Sequence, residues 1–283
     1  MKKILVTGGA GFIGSHLCER LVSDGHQVIS LDNYSTGNVE NHVAGVEYRE
    51  GHTKDISTHI TETPDLVYHL GEYARVEQSF GDLPKVLEYN QQGTTAVLEF
   101  IRTKGSKLVY AGSSTKFADS GTGRDQSPYA WTKATNTELV QRYNDWYGIK
   151  YAITYFYNVY GPRERSDMAT GTLIAIFADR HKKGLPLLVR SPGTQKRNFT
   201  HVYDIVEGLV RVGDRGEGDE YGLGNSTAYT VLEVAEMFGS NVEFLDERPG
   251  NRMNAIVDTR RSALELGWET KHDLPNYIQS ILG

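Results

Sequence analysis

Short apolar runs recur along this 283-residue chain, separated by stretches of helical period. The runs at 4–6, 28–31, 66–70 and 108–111 are too short for helices and nearly unbroken by polar positions, the pattern of strands buried on both faces of a parallel sheet. Between them the spacing lengthens to three and four. Val86, Leu87, Val97, Leu98 and Ile101 mark a helix over 84–103, a second long helix is predicted over 129–147, and a strand follows at Tyr151–Phe156. Strands alternating with helices through short, right-handed crossovers predict an α/β fold, a Rossmann-type doubly wound parallel sheet with its ligand at the carboxyl ends of the strands.

Beyond Gly161-Pro162 this rhythm breaks. A helix over 173–183, a strand at 187–189, a turn-rich stretch at 191–194 and helices at Val231–Phe238 and Leu274–Leu282 predict a smaller C-terminal substrate-binding lobe. The expected division is a dinucleotide-binding domain over 1–157, with a returning segment at about 197–224, and a lobe built from 158–196 and 225–283. The glycine-rich, charged stretch 213–218 reads as a turn closing a helix.

The first strand runs into Thr7-Gly8-Gly9-Ala10-Gly11-Phe12-Ile13-Gly14, and a helical stretch begins at once. Gly8 allows the tight turn, Gly11 lets backbone N–H groups approach a pyrophosphate, and Gly14 lets helix and strand pack closely. The second strand ends in Asp32, at the distance where a carboxylate meets the adenosine ribose. Such a group accepts from a free 2′-hydroxyl and repels a 2′-phosphate, so the expected cofactor is NAD.

Composition narrows the remaining classes. Lys and Arg number 30 against 36 Asp and Glu, a net charge of −6, which offers no broad basic surface for nucleic acid. The single cysteine, Cys18, excludes an intramolecular disulfide and is expected to pack in the first helix. No run is long and apolar enough to cross a bilayer, and Lys2-Lys3 opens a run that glycines interrupt, so a cytoplasmic enzyme without membrane association is expected. No metal site is expected.

Pro128-Tyr129-Ala130-Trp131-Thr132-Lys133 places a tyrosine and a lysine four apart on one helix face. An ammonium beside a phenol favours the phenolate, a proton acceptor suited to an alcohol being oxidised. The strand before this helix ends in Ala111-Gly112-Ser113-Ser114-Thr115, presenting hydroxyls beside the cofactor crevice.

In this order of motifs the chain resembles an extended short-chain dehydrogenase/reductase of the nucleotide-sugar epimerase/dehydratase family. The glycine turn, Asp32-Asn33-Tyr34-Ser35-Thr36-Gly37, His69-Leu70-Gly71, Asn90 with Gly93-Thr94, the serine strand, Tyr129 with Lys133, Asn158-Val159-Tyr160-Gly161, Arg197-Asn198-Phe199 and Arg248-Pro249-Gly250 match the family's landmarks across nearly the full length. The resemblance implies that Tyr129 is the acid/base, that Lys133 holds the nicotinamide ribose, and that Ser113 bonds the reacting sugar hydroxyl. It implies cofactor contacts at Gly8, Gly11, Phe12, Ile13, Gly14, Asp32, Asn33, Leu70, Gly71 and Asn90, with His52 and Thr53 near the adenine. For a nucleoside-diphosphate sugar it implies contacts from Ser114, Thr115, Asn158, Arg197 and Arg248. It also implies a homodimer through the helices at 84–103 and 129–147.

Three departures from the family pattern bear on function. His52 replaces an acid near the adenine. Arg190 stands where an aromatic often meets the base, and a guanidinium there favours a base other than uracil. Ser114 and Thr115 replace the Asp-Glu pair of the 4,6-dehydratases, and hydroxyls cannot serve as those acids and bases near neutral pH. Epimerisation through transient oxidation at C4 is therefore expected. The alternative is 4,6-dehydration with Glu72, found where the family has a small residue, reaching the sugar from the other side. A non-catalytic dinucleotide sensor is the reading from a different class.

Overall fold

The computed structural model describes residues 1–168, 170–246 and 257–282. Its central sheet holds β1 (Lys3–Thr7), β2 (Gln27–Asp32), β3 (Val46–Glu50), β4 (Leu66–His69), β5 (Lys107–Ser113), β6 (Tyr151–Phe156) and the returning strand Gly218–Leu223. The order is Gly218–Leu223, β6, β5, β4, β1, β2, β3, parallel throughout. The chain winds outward from β1 to β3, then restarts on the other side of β1 with β4. That reversal opens a crevice at the carboxyl ends of β1 and β4. At its floor Gly8 meets Gly71 so closely that a Cβ on Gly8 would lie 2.9 Å from the Gly71 Cα. Gly8 also has φ of +75°, which favours glycine independently.

Alternation along the strands sends neighbours to opposite faces. Ile4 and Val6 pack with Leu17 and Leu21 of α1 (Phe12–Ser23) and with Ile205 and Leu209 of the helix Val202–Arg215. Leu5 and Val67 pack on the other face with Val97, Leu98 and Ile101 of the helix Gly93–Lys104 and Val140 of the helix Pro128–Tyr147. A third core, with Tyr160, Phe177, Leu187, Val234, Phe238 and Ile278, is built entirely from residues after Val159.

Three elements differ from the pattern reading. The helix expected over 84–103 is interrupted: Leu83–Val86 leads into a wide π turn at Leu87–Gln92 before Gly93–Lys104 resumes. The wide turn carries the buried Asn90, whose Nδ2 donates to the Tyr73 carbonyl (3.2 Å) and whose Oδ1 accepts from the Tyr73 N–H (2.7 Å). β3 escapes the pattern because its sequence, Val46-Glu47-Tyr48-Arg49-Glu50, is that of a charged edge strand. Part of the stretch assigned to the lobe packs elsewhere: Leu266 and Trp268, at and just past the end of the helix Arg260–Leu266, join the core formed by α1 and Val202–Arg215. The helix Val202–Arg215 ends at Gly216, within the stretch read as a closing turn. No helix among the described residues is long and apolar enough to cross a membrane.

Candidate active site

The crevice widens into a cavity of about 890 Å³ that runs from Asp32 past the glycine turn to Tyr129, a size suited to a small-molecule site. At one end Asp32, 7 % exposed, accepts from the Ala10 N–H (2.9 Å) and the Tyr34 N–H (2.8 Å). Burial raises its carboxyl above the ordinary value, and these two bonds offset only part of that rise. The same carboxylate thus braces the glycine turn that a dinucleotide would rest on. Gly14 is forced by that turn, because a Cβ there would lie 2.0 Å from the Gly8 carbonyl oxygen.

At the other end β5 delivers Ser113, whose Oγ lies 2.9 Å from Thr115 Oγ1. The chain continues through 3₁₀ turns over Ser114–Asp125. The helix Pro128–Tyr147 then starts on Ser127, whose hydroxyl accepts from the Ala130 N–H (3.0 Å), with Pro128 in the first turn where its missing N–H costs nothing. This start sets Tyr129 at the cavity wall and Lys133 one turn deeper. Lys133 is 4 % exposed, its Nζ lies 4.3 Å from the centre of the Tyr110 ring, and it donates to the Ala111 carbonyl and to Glu72 Oε2.

Glu72 is the departure from expectation. Its side chain is 3 % exposed, and besides Lys133 it accepts at Oε1 from Thr94 Oγ1 (2.9 Å), Tyr110 OH (3.1 Å) and Asn136 Nδ2 (3.1 Å). Burial opposes its ionisation, but the Lys133 ammonium and these donors outweigh burial and hold the carboxyl below the ordinary carboxylate range. The network continues to β1. The Thr7 hydroxyl accepts from the N–H groups of Leu70 and Gly71 (3.2 and 3.0 Å), so its own proton points to His69 Nδ1 (2.7 Å). Burial lowers His69 to about 4, leaving it neutral with its proton on Nε2, which faces Thr94 Oγ1 (3.1 Å). Glu72 lines the cavity beside Gly71, but both of its oxygens are taken up by donors of the protein.

A family model described as NAD dependent epimerase/dehydratase matches residues 4–224. The chain belongs to the NAD-dependent epimerase/dehydratase family. UDP-glucuronic acid decarboxylase 1 of Danio rerio is 30 % identical over 290 residues, covering 95 % of this chain and 69 % of that protein. A putative UDP-glucose 4-epimerase of Methanocaldococcus jannaschii is 30 % identical over 299 residues, 99 % of this chain and 97 % of the other. Among solved structures, UDP-glucose 4-epimerase of Thermus thermophilus in complex with NAD superposes with a TM-score of 0.89 at 30 % identity, covering 99 % of this chain and 97 % of that one. UDP-glucose 4-epimerase of Thermotoga maritima with UDP-glucose does so at 0.92 and 26 % identity, with the same coverage.

As a member of the NAD-dependent epimerase/dehydratase family the chain is an enzyme of nucleotide-sugar chemistry with NAD as cofactor, and its own residues fit that group. The glycine cradle leaves no room for side chains, and the first turn of α1 directs backbone N–H groups into the cavity beside Asp32. Gly8, Gly11, Phe12, Ile13, Gly14, Asp32, Asn33, Thr53, Leu70, Gly71, Ser113, Ser114, Thr115, Tyr129, Lys133 and Asn158 line one continuous wall.

Several expected contacts stand elsewhere. Asn90 is fully buried behind the wall, bonded to Tyr73 and to Thr132 Oγ1 (3.0 Å), so it pins the loop after β4 to the helix Pro128–Tyr147 and does not line the cavity. His52 caps the turn Thr53–Asp55 by accepting from the Lys54 N–H (3.1 Å) and packs edge-on against Tyr89 at 4.5 Å. Its neighbours Gly51 and Thr53 reach the cavity and it does not. Arg190 ends the lobe strand Leu187–Arg190 and turns toward Glu77 (3.6 Å) and the Asp246 carbonyl (3.4 Å), outside the wall. Arg197 also lies outside it, donating to the Lys196 carbonyl (2.8 Å). Arg248 falls outside the described residues.

Residues that pattern reading missed fill the gap: Arg75, Arg163, Glu164 and Arg165 all line the cavity. Arg163 pairs with Glu19 (2.8 Å) and Arg165 with Asp167 (3.0 Å). Glu164 accepts from the Gly161 N–H (2.8 Å) and from Thr172, and burial raises its carboxyl to about 7. Three of the four follow Gly161-Pro162 directly, so the motif itself was the available signal.

Proposed function

We propose that this chain is a nucleotide-sugar epimerase working through transient oxidation at C4 of a nucleoside-diphosphate sugar. One observation carries the reading: Ser113, Tyr129 and Lys133 converge on the wall of the same cavity whose far end holds the glycine turn and Asp32. Bound NAD supplies a reversible hydride acceptor. The chain's own residues do the rest. Tyr129 takes the proton of the C4 hydroxyl as that carbon is oxidised and later returns a proton to the same oxygen. Ser113, steadied by Thr115, donates to that oxygen and fixes its position. Lys133 keeps a cation at the base of the pair. Epimerisation asks for no further acid or base, and Ser114 and Thr115 supply none.

The alternative, 4,6-dehydration through Glu72, requires that carboxylate to leave Lys133 and three other donors, which argues against it. Incubating the purified protein with UDP-, GDP- and dTDP-sugars and following products by NMR decides between them. An inverted C4 centre supports epimerisation, and a 4-keto-6-deoxy product would replace it with dehydration. A homodimer through the helices at 84–103 and 129–147 belongs to the same proposal, supported by Trp131, Trp146 and Tyr147 standing 42 %, 61 % and 53 % exposed on the second of them.

A further inference from the structure

Arg75, on the loop after β4, lines the cavity together with Tyr129, Ser113 and Thr115. Its guanidinium donates to two backbone carbonyls, of Ala74 (3.0 Å) and Thr170, and among the described residues it forms no ion pair. Its Nε is buried and has no hydrogen-bond partner. Burial disfavours its charge, and of the titratable groups that counter this the Tyr129 phenol acts most strongly, ahead of Asp167. The other three cations of this wall are already committed: Lys133 to Glu72, Arg163 to Glu19 and Arg165 to Asp167. A desolvated cation with an unsatisfied donor is costly unless an acceptor arrives, and an anion satisfies both its charge and its N–H.

Where Arg75 sits decides which part of a ligand that anion is. With the C4 hydroxyl at Tyr129, the diphosphate on C1 lies across the sugar ring, while the C6 group hangs from C5, the next carbon. We propose that Arg75 is the receptor for a carboxylate at C6, and that the sugar this enzyme handles is a nucleoside-diphosphate uronic acid. The inference deepens the C4 oxidation reading and rests on it for the placing of the sugar. A guanidinium is the side chain suited to it, since its planar donors match a carboxylate and cannot be neutralised by proton loss. A neutral sugar would leave the same cation buried beside a hydroxymethyl group.

The test compares UDP-glucuronic acid with UDP-glucose on the cofactor-loaded enzyme, by calorimetry. The base and diphosphate are common to both, so the ratio of affinities isolates the C6 group. We expect the uronate to bind at least about ten-fold more tightly, R75Q to bring the ratio to within about two-fold of unity, and R75K to retain part of the preference. Equal binding of the two by the unaltered enzyme, or binding of neither at millimolar concentration, would overturn the proposal. So would an R75Q variant that weakens both by the same factor, which would mark Arg75 as a strut for Thr170 or a contact to the shared diphosphate. NMR of the same mixtures reads the chemistry separately: a bound uronate that is never inverted at C4 sinks the epimerase reading and leaves the carboxylate receptor standing.

Discussion

Lys133 and Glu72 form an ion pair whose side chains are 5 % and 3 % exposed, in the wall of the candidate active site. Lys133, which the resemblance casts as the ribose contact, has a buried counter-ion, joined through Thr94 and His69 to Thr7 on β1. Breaking such a pair from one side leaves an unmatched buried charge, whereas removing both partners costs far less. Glu72→Ala is expected to lose about 3–5 kcal/mol in urea unfolding, Glu72→Gln less, and the double variant Glu72→Gln with Lys133→Met less than the sum of its singles. Additive losses would show that the two side chains are not coupled.

Tyr129 is the group whose loss should separate chemistry from binding. Tyr129→Phe is expected to lower turnover by about 10²- to 10⁴-fold while NAD released from denatured protein stays at the level of the parent. A dinucleotide sensor would keep its function in the same variant.

Asp32 both lines the glycine-turn end of the cavity and braces that turn by accepting from the Ala10 N–H. Asp32→Asn keeps an acceptor and removes the charge. NAD affinity, measured by fluorescence titration, is expected to fall about ten-fold or more, and the preference for NAD over NADP to narrow because the repulsion of a 2′-phosphate is gone. An unchanged preference would place discrimination elsewhere.

Glu164 links pH to stability. Burial raises its folded-state value to about 7, above the value of about 4.3 for a free glutamate. Between the two the folded chain holds a proton that the unfolded chain has released, so its contribution is complete below the unfolded value and is lost as pH rises through about 7. Glu164→Gln is expected to flatten the decline of the unfolding free energy between about pH 5 and 7, by up to about 1.4 kcal/mol per pH unit. The Thr172 hydroxyl can turn to accept from the new amide, so the site need not be broken. An identical slope in both proteins would refute the assignment.

Trp131 and Trp146 stand exposed on the helix proposed as a dimer face. Replacing both with Glu is expected to halve the mass found by light scattering without lowering the unfolding free energy by more than about 1 kcal/mol. A parent already monomeric would dispose of the dimer.

How much of this was legible in the sequence follows from the range of each signal. The glycine turn, the acid ending β2 and the Tyr129–Lys133 spacing are encoded among near neighbours, and the structure places each of them on one cavity wall. Asn90 illustrates the limit. Its motif matched, but a π turn at Leu87–Gln92 rotates it inward to bond Tyr73 and Thr132, and no local period announces such a turn. Arg197 matched by position as well and Arg190 departed from the pattern, yet both short lobe strands leave their arginines outside the cavity.

Sequence alone determined the α/β winding, the glycine turn and the pairing of Tyr129 with Lys133 on one helix face, because periodicity, glycine geometry and helix-face spacing act over a few residues. Tertiary structure alone decided that Glu72 is paired with the lysine 61 positions away, and that Arg75 lines the site with its Nε unpartnered. Burial and charge pairing depend on which strand ends the sheet brings side by side, and that is a property of the whole fold.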